Sequence, residues 1–234
     1  MRLDDPEVVR TEYADETRLA LRSAVLGFST GPDARQVVFE AVAEATPRCV
    51  LDVGCGQGEL AERIRAELGV EVTAVDLSPR MVELTRARGV EALVGDIHDL
   101  PFHDGSFDCV VAGWVLYHAS GLDQAMRELR RVLGPEGRLV AATNSERSLS
   151  ELWSLVGFSP GYTFGGENGE ESLLRHFTVV ERHDVYGMLT FPDREAARRY
   201  VAASIAARDR ADDLPFFEGP LHASRHAVVF VCEP

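Results

Sequence analysis

The residues best suited to chemistry lie in LDVGCGQGEL, residues 51–60, and in two aspartates further on, Asp76 and Asp96. Glycines at positions 54, 56 and 58 directly follow an apolar run. Glycine admits positive φ and lets a ligand approach the backbone. A turn between a strand and a helix N-terminus is expected to offer unpaired N–H groups and the positive end of the helix dipole. Asp76 closes the next β-rich run, VTAVDL, residues 72–77. In a doubly wound sheet that tip lies beside the first turn, where a carboxylate accepts both hydroxyls of a ribose. The spacing G-x-G-x-G departs from the dinucleotide fingerprint G-x-G-x-x-G, whose third glycine supports packing under a pyrophosphate. Glu59 and Glu62, in the first turns of the following helix, would repel a pyrophosphate and tolerate a cationic group. A nucleoside bearing positive charge is the ligand these residues suit.

The surrounding pattern supplies the elements that position them. Strands are expected at residues 49–53, 72–77, 91–94, 108–112 and 139–143. Between them, Leu60, Ile64 and Leu68 fall on one helical face, as do Leu122, Ala125, Met126, Leu129 and Val132 of a helix closed by Gly134 and Pro135. Ser78 and Pro79 read as N-cap and first helical residue, with Gly89 as the stop. Strands apolar on both faces and separated by amphipathic helices imply a parallel sheet covered on both sides, with right-handed crossovers. Residues 1–45 read as two helices broken at GFSTGP, residues 27–32. Residues 158–169 read as a long flexible loop, 178–189 as a strand, 193–208 as a helix and 227–232 as a terminal strand.

Composition limits the partners. The 234 residues carry a net charge of −14 and no lysine, so every basic side chain is an arginine. No basic cluster follows a phosphate backbone, which argues against nucleic acid, and no lysine is present to serve as base or Schiff-base former. The four cysteines, at 49, 55, 109 and 232, lack zinc spacing, and no metal site is expected. With an acidic start and no long apolar run, the expectation is a cytoplasmic protein without membrane contact, monomeric or homodimeric.

Four consecutive stretches, LDVGCGQGEL, VTAVDLSPRMVELTRARG, VGDIHDLPFHDGSFDCVVAGWVLYH and MRELRRVLGPEGRLVAAT, closely resemble the class I S-adenosylmethionine-dependent methyltransferases, in particular their broad small-molecule group. The resemblance spans about residues 46–145. It implies a Rossmann-like α/β fold with seven strands in the order 3-2-1-4-5-7-6, the last antiparallel, and three parts: an N-terminal helical lid (1–45), a cofactor-binding core (46–145), and substrate-side insertions with the C-terminal strands (146–234). It implies further that Asp52, Gly54, Cys55 and Gly56 hold the methionine part of S-adenosylmethionine and Asp76 the ribose. Leu77 and Met81 would form an apolar shelf under the adenine, with Asp96 accepting from its amino group and the Ile97 N–H donating to it. Ala112, Gly113 and Trp114 would meet the methionine ammonium through their backbone.

Around that core, Tyr117, read as a further cofactor contact, and His118 follow the fourth strand at the edge where open α/β sheets bind ligands. His118 reads either as a general base or as a packing group. Asn144 reads as a substrate contact or an N-cap, and Tyr13 as an aromatic that closes over the cofactor or a core contact of the lid. His98 and His103 receive no role. Phe158, Tyr162, Phe164, Trp153, Phe216 and Phe217 offer aromatic area for a small, partly apolar methyl acceptor. The reaction implied is an SN2 methyl transfer to O, N or C that yields S-adenosylhomocysteine. The alternatives are a protein that binds the cofactor without transferring the methyl group, a nicotinamide oxidoreductase, and a non-catalytic subunit.

Overall fold

CVLDV at residues 49–53 forms a central strand because its apolar side chains are needed on both faces: Val50 joins one core cluster, and Leu51 and Val53 join the other. The computed structural model describes residues 3–24 and 28–234. In chain order the elements are α1 (Pro6–Glu12), α2 (Thr17–Ala24), β1 (Ser29–Thr30), α3 (Ala34–Glu44), β2 (Cys49–Val53), α4 (Glu59–Leu68), β3 (Glu71–Asp76), α5 (Pro79–Ala87), β4 (Glu91–Val94) and β5 (Phe107–Gly113). There follow α6 (Leu122–Val132), β6 (Leu133–Asn144), α7 (Ser150–Leu155), α8 (Gly169–Leu173), β7 (Val179–Phe191), α9 (Arg194–Ala203) and β8 (Leu221–Glu233). The sheet runs β1-β7-β8-β6-β5-β2-β3-β4. Strands β2 to β6 pair in parallel, β8 is antiparallel to both β6 and β7, and β1 is antiparallel to β7.

The sheet therefore has eight strands, not the seven expected. The additional one, β1, is two residues long and pairs with Met188 and Leu189 of β7. A segment that short carries no alternation a sequence pattern could reveal. The N-terminal segment holds three helices among its described residues, not two, because the chain breaks after α1, where Tyr13 leaves helical geometry. Part of the break expected at residues 27–32 lies outside the described residues.

Local chemistry sets the boundaries nearest the site. Gly58 begins α4 at φ 77°, and a Cβ there would lie 2.6 Å from the Thr85 hydroxyl, so glycine allows α4 and α5 to approach. Ser78 caps α5 by accepting from the Met81 N–H at 3.3 Å, with Pro79 as the first helical residue. Ala125, Met126, Leu129 and Val132 of α6 are buried as the periodicity expects. Gly134 and Pro135 lie within β6, where the register jumps from Leu133 opposite Phe107 to Arg138 opposite Cys109 and residues 134–137 bulge out.

The segment at 158–169 is pinned, not loose. Phe164 is fully buried, its carbonyl accepts from the Thr143 hydroxyl at 2.8 Å, and the Asn168 side chain bridges the Gly165 N–H and the Tyr162 carbonyl. The helix expected to reach residue 208 stops at Ala203, because Ser204 is extended and its hydroxyl bonds back to the Tyr200 carbonyl.

Candidate active site

The carboxyl ends of β2, β3 and β4 converge on the glycine turn, which holds itself together with its own amides. Gly54 has φ 73°, and its N–H and that of Cys55 donate to the Val75 carbonyl at 2.7 and 3.2 Å. The Gly56 N–H donates to Asp76 Oδ2 at 2.9 Å, and the Ser78 N–H to Asp76 Oδ1 at 2.9 Å. These amides, expected to await a ligand, are thus bound to protein acceptors. What the turn presents instead is negative charge. Each Asp76 oxygen keeps a further lone pair for a hydroxyl donor.

Asp52 lies beneath the turn, 3% exposed, and its Oδ2 has no hydrogen-bond partner. Burial, with the charge of Asp76 adding to it, pushes the Asp52 carboxyl up to about 7. Burial also raises Asp76, against the hydrogen bonds from Ser78 and Gly56. A buried carboxyl whose ionisation is disfavoured by burial and by a neighbouring carboxylate is relieved by a cation placed close by. Glu59 and Glu62, by contrast, are engaged by arginines, Glu59 with Arg35 and Arg88 and Glu62 with Arg88 at 2.7 Å. The local negative field therefore comes from the aspartates more than from the helix start.

Beside the turn is a cleft of about 90 Å³, with Gly54, Asp76, Leu77, Asp96, Ile97 and His118 in its walls together with Val115 and His98. Pro6, Val9 and Arg10 of α1 form its cover. Ligand pockets for molecules of nucleoside size or more run to roughly 300–1,000 Å³, so α1 must shift for such a ligand to enter. The cover is fastened at several points. The Ser78 hydroxyl donates to the Tyr13 carbonyl at 2.6 Å, and Arg80 grips Glu16 with two nitrogens at 2.9 and 3.0 Å. The buried Glu12 is paired with Arg18 and Arg208. Tyr13 and His118 meet at 2.9 Å between hydroxyl and Nε2, while His118 Nδ1 bonds the Leu3 carbonyl at 2.9 Å. A carbonyl only accepts, so Nδ1 carries the hydrogen and, in the neutral ring, Nε2 accepts from Tyr13.

Other expected residues sit elsewhere. Met81 is fully buried, packed behind the Ser78 cap, and forms no shelf in the cleft. Cys55 is half-buried with its thiol 3.4 Å from the Thr85 hydroxyl, and burial raises its pKa. The Ala112 side chain is inside the sheet, whereas a Cβ on Gly113, at the tip of β5, would meet open space. Trp114 has φ 55°, its N–H donates to the Ala142 carbonyl, and its indole donates to Asn144 Oδ1 at 3.2 Å.

Trp114, Asn144, Tyr117 and Tyr162 form a second cluster at the ends of β5 and β6: Tyr117 packs on His118 and on Tyr162, and Asn144 is tied to Trp114. Asn144 caps no helix, since α7 begins only at Ser150. Trp153 and Phe164 belong to the core, Phe158 and Phe217 pack against the cluster that holds Trp153, and Phe216 is 79% exposed, so the aromatic lining expected from the tail reduces here to Tyr162. Sequence reasoning missed Val115, Arg10 and His98. Val115 is found only in three dimensions, where a Cβ on Gly54 would lie 2.4 Å from its Cγ2.

Among the described residues, no cluster of His, Cys, Asp and Glu is placed to hold a metal, and no helix is long and apolar enough to cross a membrane.

Residues 51–141 match the methyltransferase domain family. The demethylmenaquinone methyltransferase of Thermotoga maritima is 33% identical over 141 residues, which cover 57% of this chain and 62% of that protein. A malonyl-(acyl-carrier protein) O-methyltransferase of Erwinia pyrifoliae is 43% identical over 115 residues, 47% of this chain and 44% of that protein. The matched part thus spans less than two thirds of these relatives. Among solved structures, the (4+2)-cyclase SpnF superposes with a TM-score of 0.63 over 97% of this chain and 95% of its own, at 23% identity, a likeness of fold.

Proposed function

We propose that the protein, whose residues 51–141 match the methyltransferase domain family, transfers a methyl group from S-adenosylmethionine to an O, N or C atom of a small-molecule acceptor. The observation that carries this reading is the buried, partnerless Asp52 Oδ2 beside Asp76. An acceptor-rich pocket of that kind suits a ligand with a ribose, an ammonium and a sulfonium, and does not suit a pyrophosphate. Sharing a fold with a cyclase does not decide the chemistry, which rests on the site.

In this reading Asp76 takes the ribose hydroxyls and Asp52, under the turn at Gly54, Cys55 and Gly56, balances the charge of the methionine part. Asp96 and the Ile97 N–H read the adenine edge, with Leu77 against its face. Gly113 and Trp114 offer backbone where the methionine ammonium ends. When bound, S-adenosylmethionine supplies a methyl group on a cationic sulfur that leaves as a neutral thioether, so protonating the leaving group is unnecessary. The protein's part is to hold the acceptor in line and close. Trp114, Tyr117, Asn144 and Tyr162 are the groups assigned to that task.

Residues 1–45 act as the lid, and His118 fastens it. With Nε2 taken by Tyr13, His118 becomes a base toward an acceptor only when Tyr13 moves away. The reading places the protein in the cytoplasm, as a monomer or homodimer.

Calorimetric titration with S-adenosylmethionine and S-adenosylhomocysteine, followed by detection of S-adenosylhomocysteine released in the presence of phenol, carboxylate and amine acceptors, tests the proposal. Binding with release supports it. Binding without release from any acceptor returns the protein to a cofactor binder without transfer, and failure to bind overturns the reading.

A further inference from the structure

The turn after β4 contains a contact that sequence reasoning passed over. Asp96 Oδ1 accepts two hydrogen bonds from His98, one from its backbone N–H at 3.0 Å and one from ring Nδ1 at 2.6 Å. The direction of the second is set by the other ring nitrogen. The Gly121 N–H donates to His98 Nε2 at 3.1 Å, so Nε2 holds the lone pair and Nδ1 the hydrogen.

Gly121 is the N-cap of α6 and has no side-chain cap of its own, and Gln124 in the first turn donates its amide to the His98 carbonyl at 2.8 Å. A Cβ on Gly121 would lie 3.5 Å from the imidazole, an ordinary contact distance, so the helix start lies directly against the ring. The imidazole is thus held between the N-terminus of α6 and a carboxylate that uses its hydrogen. Burial raises the Asp96 carboxyl, but the two hydrogen bonds from His98, with the charges of His98 and Arg10, outweigh it and leave the group below its ordinary value. No described residue donates to Asp96 Oδ2.

Resting on the cofactor reading above, we propose that His98 is a positioning residue for adenine recognition. It holds Asp96 Oδ1 from within the protein, so that Oδ2 is the oxygen presented to the 6-amino group, and it ties that acceptor to the N-terminus of α6. Without the imidazole only the backbone N–H of residue 98 still holds Oδ1, so the carboxylate is less firmly oriented and loses much of its preference for a donor at that position.

The probes are S-adenosylhomocysteine and its 6-deaminated analogue, S-inosylhomocysteine, which places an oxygen acceptor where the amino group was. Each is titrated calorimetrically into the unaltered protein and into His98→Ala, His98→Gln and His98→Asn, with thermal unfolding recorded for each variant. Asn keeps a donor near the place of Nδ1, whereas Gln reaches toward the place of Nε2. The expected result is a preference for S-adenosylhomocysteine of more than tenfold in the unaltered protein and in His98→Asn, reduced about tenfold in His98→Ala and His98→Gln.

Equal loss of affinity for both probes in the variants would make His98 merely structural and overturn the proposal. So would an unchanged ratio, or binding of both probes equally by the unaltered protein. Failure of the unaltered protein to bind either probe would instead overturn the cofactor reading itself.

Discussion

On the side of the cleft made by β2, β3 and β4, recognition rests on a backbone turn and three carboxylates, Asp52, Asp76 and Asp96. On the side made by the ends of β5 and β6 it rests on rings and an amide, Trp114, Tyr117, Tyr162 and Asn144, brought together from positions up to 48 residues apart. The first side is held in place by backbone, with the Gly54, Cys55, Gly56 and Gly58 N–H groups each spent on a protein acceptor. The second is held by single side-chain contacts. A common ligand can be read by a site that never changes, whereas acceptors that differ between enzymes need walls that can be exchanged without disturbing the sheet.

This contrast can be broken or sharpened by substitution. The largest effect is expected for Asp76→Ala, which removes the support of the turn at Gly56 together with the proposed ribose acceptor. Affinity for S-adenosylhomocysteine should fall roughly 10–100-fold, on the scale of about 1.5–3 kcal/mol for hydrogen bonds to a charged group. Unchanged affinity in calorimetry would put the ribose elsewhere. Asn144→Ala should do the reverse: kcat/KM for an acceptor drops about tenfold as the bond that orients the Trp114 indole goes, while cofactor affinity stays within about twofold. If both constants fell together, the two sides would not be separable.

A third effect depends on pH. Asp52 stands at about 7 in the free protein because burial and Asp76 disfavour its charge. A cationic ligand favours that charge, so binding lowers the pKa and expels a proton below pH 7. Affinity for S-adenosylmethionine should therefore rise with pH up to about 7 and level off above it. Calorimetry at pH 6 in buffers of different ionisation enthalpy should report the released proton, and Asp52→Asn should abolish the release. The smallest effect is expected for Tyr13→Phe. Loss of one hydrogen bond to His118, worth about 0.5–1.5 kcal/mol, should speed cofactor association severalfold in stopped-flow mixing, with little change in acceptor KM.

Much of the first side was legible in the sequence because its signals are local. The limits of β2, α4 and β4 fall where alternation, helical spacing and glycines place them, and the Ser78–Pro79 start of α5 follows from capping chemistry. The second side was hard to read because its contacts are set by tertiary packing. Met81 has the residue type of an adenine shelf and the burial of a core residue, and only the cap above it tells the two apart. Asn144 suits an N-cap by type, yet its side chain accepts from the Trp114 indole and its carbonyl from the Gly166 N–H. His98 stands two residues after Asp96, but what gives it meaning is Gly121, 23 positions away.

The place of β8 in the sheet has a consequence for the order of assembly. It is the latest of the eight strands along the chain, yet it lies between β6 and β7, and β1 reaches the sheet only through β7. Strands β2 to β6 can pair as they are synthesised, each next to one already in place or soon to follow. Neither β7 nor β1 has a docking edge until β8 has been made and inserted. The sheet therefore closes from a late, long-range pairing, the kind that makes folding slow, and the parallel half stands for a time with the edge of β6 bare.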